Sequence, residues 1–484
     1  MNYSFWDPVI WAFDLGILFY SVGLFSLYLM LALLAYKGIR RNRERNKLRL
    51  ETILEKSPLT PGISIVAPAF NEGPTIIANV RSLLTLNYPR FEVIIVNDGS
   101  TDDTLDKLIN EFKLVRHDIP YESKVPSQPI RCFFKSTSMA YSNLIVVDKV
   151  NGKSKADAVN AGINIASYPY LLNTDVDCIL DRDTLLKLVQ PFMEDGKRVI
   201  AVGAGLRIAN SCEVDRGTMM QVKVPEGMIP RFQEVEYIRS FVLGKVGWSQ
   251  MNAVPNVSGG LGLFDTDILI KAGGYDPRSF GEDMDMIVRM AKYMCDNKQD
   301  YAIRYVPQAL CWTEAPDNLK VFGRQRTRWA RGLFQIFAQH GKMLLHPRYK
   351  RMGLITFPYN FFFELLAPII EFLGLITYFV LIATGQINFV HAGILLVFVY
   401  SFSVFITLLS IMYDQFAMNN YSSPRELAKL CMAAVLEPFL YHPLIIFFSL
   451  KGYFNQLFGR QHAWGNMQRK GFRQQADQPS VIIR

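Results

Sequence analysis

The chain has 484 residues, half of them hydrophobic and 20% charged, with a formal net charge of +9. An ordinary soluble chain sets more charge against that much apolar surface, so part of this one belongs in lipid. The positive balance suits an anionic partner, but lysines and arginines beside a membrane would supply it as well, so nucleic acid is not implied.

The first predicted element is a membrane helix. Leu15 to Tyr36 is an uncharged apolar run of 22 residues, and about 20 suffice to cross a bilayer. A cleaved signal peptide would lead with positive charge, whereas the residues ahead include Asp7 and Asp14 and no lysine or arginine. A retained anchor is therefore expected. Seven basic residues from Lys37 to Arg49 follow it, which predicts a cytoplasmic continuation and an outside N-terminus.

From Ile63 the pattern changes. ISIVAP, EVIIVND, NLIVVD and PYLLNTDVD read as buried parallel strands, because continuous Ile, Val and Leu suit strands covered on both faces. Pro74 to Leu86 and Thr101 to Phe112 read as the helices between them, the second opening on DGSTDD, whose side chains can cap free amides. Such alternation predicts an open sheet that binds ligands at the carboxyl ends of its strands. Asp98 ends one strand, and Asp175 and Asp177 end another. Residues two apart in an extended chain face one side, so this pair either stands as a solvated loop or cap or suits a hard divalent ion, such as Mg²⁺ or Mn²⁺, that links carboxylate to phosphate. No GxGxxG or GxxxxGK[ST] follows a strand, which argues against a dinucleotide dehydrogenase or a P-loop ATPase. VSGGLGLFD marks a place where backbone must come close to something.

The six cysteines form no CxxC pair and the histidines no HxxxH or HExxH spacing, so any metal should be held by oxygen. GRQRTRWARG, near residue 325, sits in a predicted helix from Asp317 to Gln339. Three apolar stretches close the chain, roughly Phe361–Thr384, Val390–Met412 and Leu430–Leu450. Glu364 and Glu371 interrupt the first, and Glu437 and His442 the last. Such groups line a protein interior or a polar path, or pair within a bundle. Three crossings would leave the basic tail outside, against the charge rule, so one stretch is expected to fold back or lie in the interface, or else the rule fails here.

Five motifs in order, PAFNE, VNDGS, NTDVD, FGEDMD and QRTRW, make Ile63 to Gly332 resemble the family 2 glycosyltransferases. Among these it is similar to the processive membrane synthases of cellulose, chitin, hyaluronan and poly-N-acetylglucosamine. The resemblance implies a GT-A catalytic domain, α/β with an open, mostly parallel sheet, on the cytoplasmic side of α-helical transmembrane segments in the cell membrane. Its implied parts are an anchor and basic linker over 1–50, the catalytic domain over 51–316, QxxRW and interfacial helices over 317–352, a membrane bundle over 353–452 and a basic tail over 453–484.

Position by position, the resemblance implies that Asp98 contacts the uridine of a UDP-sugar, with Glu72 close by and Lys155 near the phosphates. Asp175 and Asp177 become the DxD pair, Asp177 the main ligand of Mg²⁺ or Mn²⁺. Asp283 becomes the general base, with Glu282 beside it in the substrate site. Two positions depart from the family: Asn97 precedes Asp98 where two aspartates are common, and Gly281 precedes Glu282 where several members have TED. The second leaves the sugar preference open.

In the predicted helix, Gln325, Arg328 and Trp329 stand at i, i+3 and i+4 on one face. Arg328 can grip a diphosphate through paired hydrogen bonds, and Trp329 offers a flat surface to a pyranose. Arg324 and Arg331 fall elsewhere and are expected to meet headgroups or acidic neighbours. The expected activity is processive, inverting polymerisation of a β-linked polysaccharide from UDP-N-acetylglucosamine or UDP-glucose, with extrusion. The expected partners are donor, growing polymer, membrane lipid and accessory export subunits, without nucleic acid. Two other readings stand. A single-addition transferase acting on a lipid carrier would share the carboxylates but ordinarily lacks QxxRW. A non-enzymatic basic scaffold would have no use for Asp175, Asp177 and Asp283.

Overall fold

The computed structural model describes residues 7–46, 50–215, 217–418, 420–421 and 423–459, so the basic tail from residue 460 lies outside the described residues. Twelve strands are present there: β1 (Ile63–Ala69), β2 (Phe91–Asn97), β3 (Leu114–His117), β4 (Ile130–Ser136), β5 (Leu144–Lys149), β6 (Tyr170–Thr174), β7 (Ile179–Leu180), β8 (Arg198–Ile208), β9 (Glu213–Asp215), β10 (Thr218–Gln221), β11 (Leu261–Asp265) and β12 (Tyr301–Thr313). All but β9 and β10, which pair with each other, form one sheet in the order β3-β4-β5-β2-β1-β6-β11-β8-β12-β7. The four strands expected from apolar runs are β1, β2, β5 and β6. They bury nearly every residue, as strands covered on both faces must.

The sheet is mixed, which corrects the expectation of a mostly parallel one. Strands β5, β2, β1 and β6 run parallel, as do β8 and β12. By contrast β4 is antiparallel to β3 and β5, β11 to β6 and β8, and β7 to β12. An apolar run reports burial and not direction. Direction follows from the connection, and β3 reaches β4 through a loop that carries no crossover helix.

The parallel core has a functional consequence. Because β1 pairs with both β2 and β6, with Ala69 opposite Asn97 and Val66 opposite Asn173, the carboxyl ends of all three lie along one edge. Residues 72, 98 and 175 leave the sheet there. Helices Ile76–Leu84, Thr104–Glu111 and Lys155–Ile165 cover it, the first two within the ranges expected from periodicity.

Three described helices are long and apolar enough to cross a membrane: Leu15–Arg45, Met352–Ala383 and Phe389–Met418. A fourth apolar unit is a pair, Pro424–Leu440 and His442–Leu457, bent by 49° at Tyr441. The bend falls where Pro438 and Pro443 remove backbone donors. The chain is a multi-pass membrane protein. Acidic residues within these stretches face protein groups. Glu371 lies 2.7 Å from His442, Tyr359 donates to Glu364 at 2.7 Å, and Arg239 holds Glu437 through two bonds of 2.6 and 2.7 Å. Buried ion pairs also tie the sheet domain to the bundle: Arg207 at the end of β8 meets Asp414 of the Phe389–Met418 helix and Glu234 of the Met228–Ile238 helix.

Candidate active site

The loops after β1 and β2 are stitched into one surface. The Asn71 amide donates to Ser100, the Thr101 amide to the Asn71 side chain, and the Glu72 amide to Thr104 at 2.9 Å. Glu72 is half-buried and its carboxylate accepts from Thr75 at 3.4 Å. Asp98 is buried, and one of its oxygens accepts from the Gly152 amide at 3.0 Å and from Lys149 at 2.5 Å. Lys149 is fully buried and also meets Asp157 at 2.5 Å. This lysine, missed in the sequence, links Asp98 to the helix that starts at Lys155. Asn97 donates to Asp148 at 2.7 Å, so the amide that replaces the family's first aspartate is engaged away from Asp98.

Lys155 is the hub. Its ammonium lies 2.5 Å from Asp175 and donates to the Gly259 carbonyl at 2.7 Å. Burial works against its charge, but Asp175 and Glu282 more than offset this and raise its pKa. The glycine stretch does bring backbone close: β11 runs back along β6 with Leu261 opposite Thr174. A Cβ on Gly259 would lie 3.7 Å from the Lys155 ammonium and 3.9 Å from the Asp283 Cβ. Lys155 and Asp283 thus flank Gly259, and the Asp175 carboxylate comes within 3.8 Å of a Cβ placed on the next residue, Gly260.

Asp175, Asp177 and Cys178 place one ligand atom each within 4.8 Å of one another. A hydrogen bond with Cys311 and burial push the Cys178 thiol well up, so it stays protonated. The donors left are the two carboxylates, and an oxygen pair of this kind fits a hard divalent cation.

Glu282 and Asp283 open the helix Glu282–Asp296, where acids suit the dipole. Glu282 is 7% exposed, and burial raises its pKa against the opposing pull of Arg328, 4.0 Å away, and of Lys155. Asp283 accepts from Asn256 at 3.2 Å. Arg328 arrives on the helix Leu319–His340, close to the predicted span. That helix crosses the start of Glu282–Asp296 backbone against backbone. A Cβ on Gly332 would lie 2.7 Å from the Gly281 nitrogen and 2.9 Å from its Cα.

On the same helix Gln325 is buried with its carbonyl oxygen unpaired, and Trp329 is 36% exposed. The Trp329 ring is backed by Arg326, whose guanidinium sits 4.4 Å from its centroid and grips Glu236 at 2.5 and 2.7 Å. Arg324 is exposed. Arg331 departs from expectation. It is buried, 3.9 Å over the Phe280 ring, and donates to Gln456 of the last membrane helix at 3.2 Å. Its place is set by packing between helices, which spacing along one helix does not show.

The profile of Glycosyl transferase family group 2 matches residues 174–416, half of the chain. The chain belongs to that family. The profile of Glycosyl transferase family 2 also matches, over residues 64–120, and together the two profiles span both halves of the site of this family 2 glycosyltransferase. Among curated proteins it is 27% identical over 391 residues to a poly-beta-1,6-N-acetyl-D-glucosamine synthase of Staphylococcus epidermidis, covering 80% of this chain and 79% of the relative. It is likewise 28% identical to a poly-beta-1,6-N-acetyl-D-glucosamine synthase of S. epidermidis strain RP62A, over 65% of this chain and 64% of the relative. Among solved structures, the mannosyltransferase from Pyrobaculum calidifontis in complex with GDP-Man and Mn2+ aligns at 18% identity, 89% coverage of this chain and 100% of that chain, TM-score 0.47. Staphylococcus aureus TarS 1-349 in complex with UDP-GlcNAc aligns at 14% identity, 78% and 91% coverage, TM-score 0.34.

Proposed function

We propose that this family 2 glycosyltransferase is processive and inverting, polymerising a β-linked polysaccharide from a UDP-sugar and passing it through the membrane. The names of the curated relatives favour UDP-N-acetylglucosamine over UDP-glucose as donor. The reading rests on one observation: the helix that carries Arg328 and Trp329 touches the catalytic helix at Gly281 and the last membrane helix at Gln456. A sugar held by that helix lies between donor site and bundle.

In this reading Asp98 and Glu72 receive the uridine, and Lys155 turns from Asp175 toward the diphosphate. Asp175 and Asp177 would hold Mg²⁺ or Mn²⁺, which supplies positive charge against the leaving diphosphate. Asp283 takes the proton of the attacking acceptor hydroxyl while Asn256 fixes its orientation. Glu282 and the Gln325 carbonyl offer acceptors to sugar hydroxyls or to an acetamido N–H. Arg328 offsets charge on the diphosphate, and Trp329 carries the acceptor ring. The catalytic side faces the cytoplasm, and accessory subunits carry the polymer onward.

The test is incubation of purified protein with each UDP-sugar, followed by sizing of the product. A long polymer and stoichiometric UDP release are expected from one donor. A single sugar on a lipid carrier would replace processive synthesis by the single-addition reading. Full turnover by Asp283→Asn would remove the base assignment.

A further inference from the structure

The helix Leu319–His340 is held from two sides. Along Gly323 to Arg331 the last membrane helix packs on it: a Cβ on Gly323 would lie 2.5 Å from the Phe448 ring, and one on Gly452 2.7 Å from the Thr327 carbonyl oxygen. From Gly332 onward it meets the start of Glu282–Asp296 and the segment that leads there. Gly332 touches Gly281, the Gln335 side-chain oxygen accepts from the Phe280 amide at 3.0 Å, and the Gln335 side-chain nitrogen donates to the Arg278 carbonyl at 3.1 Å. Arg328 and Trp329 stand just ahead of the changeover.

His340, the last residue of the helix, makes the outermost tie. Its Nε2 lies 2.9 Å from one oxygen of Asp285, which is 1% exposed and two residues beyond Asp283 on the catalytic helix. The other Asp285 oxygen accepts from Arg289 Nε at 2.7 Å, and Arg289 donates in turn to the Ala272 carbonyl at 2.8 Å. Burial acts to raise the Asp285 pKa, but His340 and Arg289 outweigh it and hold the carboxyl below its ordinary value. An ionised carboxylate only accepts, so the proton lies on His340 Nε2, where both the neutral ring and the cation can carry it. Asp285 thus gives one oxygen to its own helix and one to the helix of Trp329.

We propose that His340 is a positioning residue: through Asp285 it makes the helix of Arg328 and Trp329 follow the helix of Asp283 rather than the membrane bundle, and so keeps the acceptor ring in register with the base. The inference rests on the reading of Asp283 as base and Trp329 as acceptor platform. Steric contact at Gly332 resists approach of the two helices but not their separation. The bond from His340 to a buried charged oxygen resists separation, and bonds to an ionised acceptor are the stronger kind.

Full-length wild type, His340→Phe, His340→Asn and His340→Gln are to be compared by UDP release and by sizing of the polymer at equal UDP release. Phenylalanine keeps a ring without the donor, asparagine carries a donor on too short a side chain, and glutamine can set an N–H where Nε2 stands. His340→Phe and His340→Asn should lose about tenfold or more in kcat and shorten the polymer severalfold, with the donor KM within about twofold. His340→Gln should restore most of both. Loss of folded protein alone would lower UDP release without shortening the product at equal release. Wild-type polymer length in His340→Phe, whatever its rate, or equal behaviour of the Asn and Gln variants, overturns the inference. If His340→Phe gives no folded protein by thermal melting, the contrast between Asn and Gln decides alone. Trp329→Ala separates the two levels. Unchanged length in that variant removes the acceptor reading and this inference with it, while a shorter polymer from Trp329→Ala beside wild-type length in His340→Phe removes this inference only.

Discussion

Gly332 and Gly281 meet backbone to backbone, close enough that a Cβ on Gly332 would fall 2.7 Å from the Gly281 nitrogen. The contact fixes how far Arg328 stands from Glu282 and Asp283. It also gives a physical setting for the chain's departure from TED: a Cβ on Gly281 would find its neighbours at 3.4 to 3.5 Å, which is ordinary contact, so the constraint lies on Gly332.

The asymmetry predicts unequal variants. Gly332→Ala must push two helices apart, and overpacking of this kind costs about 1–3 kcal/mol. A shift near 1 Å at reacting groups costs about 10²-fold in rate. We predict that Gly332→Ala folds with a lowered Tm and loses about 10²-fold in kcat, while Gly281→Ala stays within a few-fold of wild type. Equal loss in both would show that the crossing does not set the site.

Chelation tests the carboxylate pair. We predict that EDTA stops UDP release and that Mn²⁺ or Mg²⁺ restores it. Asp177→Asn should raise the half-saturating Mn²⁺ concentration by about tenfold or more, since a removed ligand weakens the ion most directly. Lys155→Met leaves Asp175 without its 2.5 Å partner and should weaken donor binding rather than Mn²⁺ binding. Activity indifferent to EDTA would remove the metal from the reading.

The pair Arg326–Glu236 gives a pH prediction. Burial acts to raise the Glu236 pKa, but Arg326 and the Tyr441 hydroxyl outweigh it and hold the carboxyl below its ordinary value. A group depressed in the folded state stabilises above its unfolded pKa, and that stability is lost as pH falls through the folded value. Wild type should therefore melt progressively lower as pH drops through the acid range, and Glu236→Gln should show a shallower slope. Glu236→Ala strands buried Arg326 and should cost about 3–5 kcal/mol at neutral pH, seen as a lower Tm. Identical slopes in wild type and Glu236→Gln would show that the pair carries no linkage.

The placement of β1, β2, β5 and β6 was legible because burial on both faces leaves continuous apolar runs, and the polar residues at their ends because they stand out against those runs. Strand direction was not, since Leu261–Asp265 reads the same whether it runs with β6 or against it. Nor were partners that come from distant segments. Lys149 sits two residues past an apolar run, and Arg331 reads as one more exposed arginine until the last membrane helix is set beside it.

We predict that Trp329 decides between retention and release of the product. Arg326 stacks on the indole and is itself held by Glu236 and Tyr441, so the ring stands in one orientation with 36% of the residue exposed. A pyranose laid on that ring gains about 0.5–1.5 kcal/mol from the aromatic face, enough to bias the chain end toward staying between additions. The donor does not need the ring. We predict that Trp329→Ala leaves the UDP-sugar KM within about twofold but shortens the polymer severalfold, and that Trp329→Phe keeps most of the wild-type length. Product sizing at equal UDP release is the measurement. Unchanged length in Trp329→Ala would place the acceptor elsewhere, and a raised donor KM with unchanged length would assign the ring to the donor.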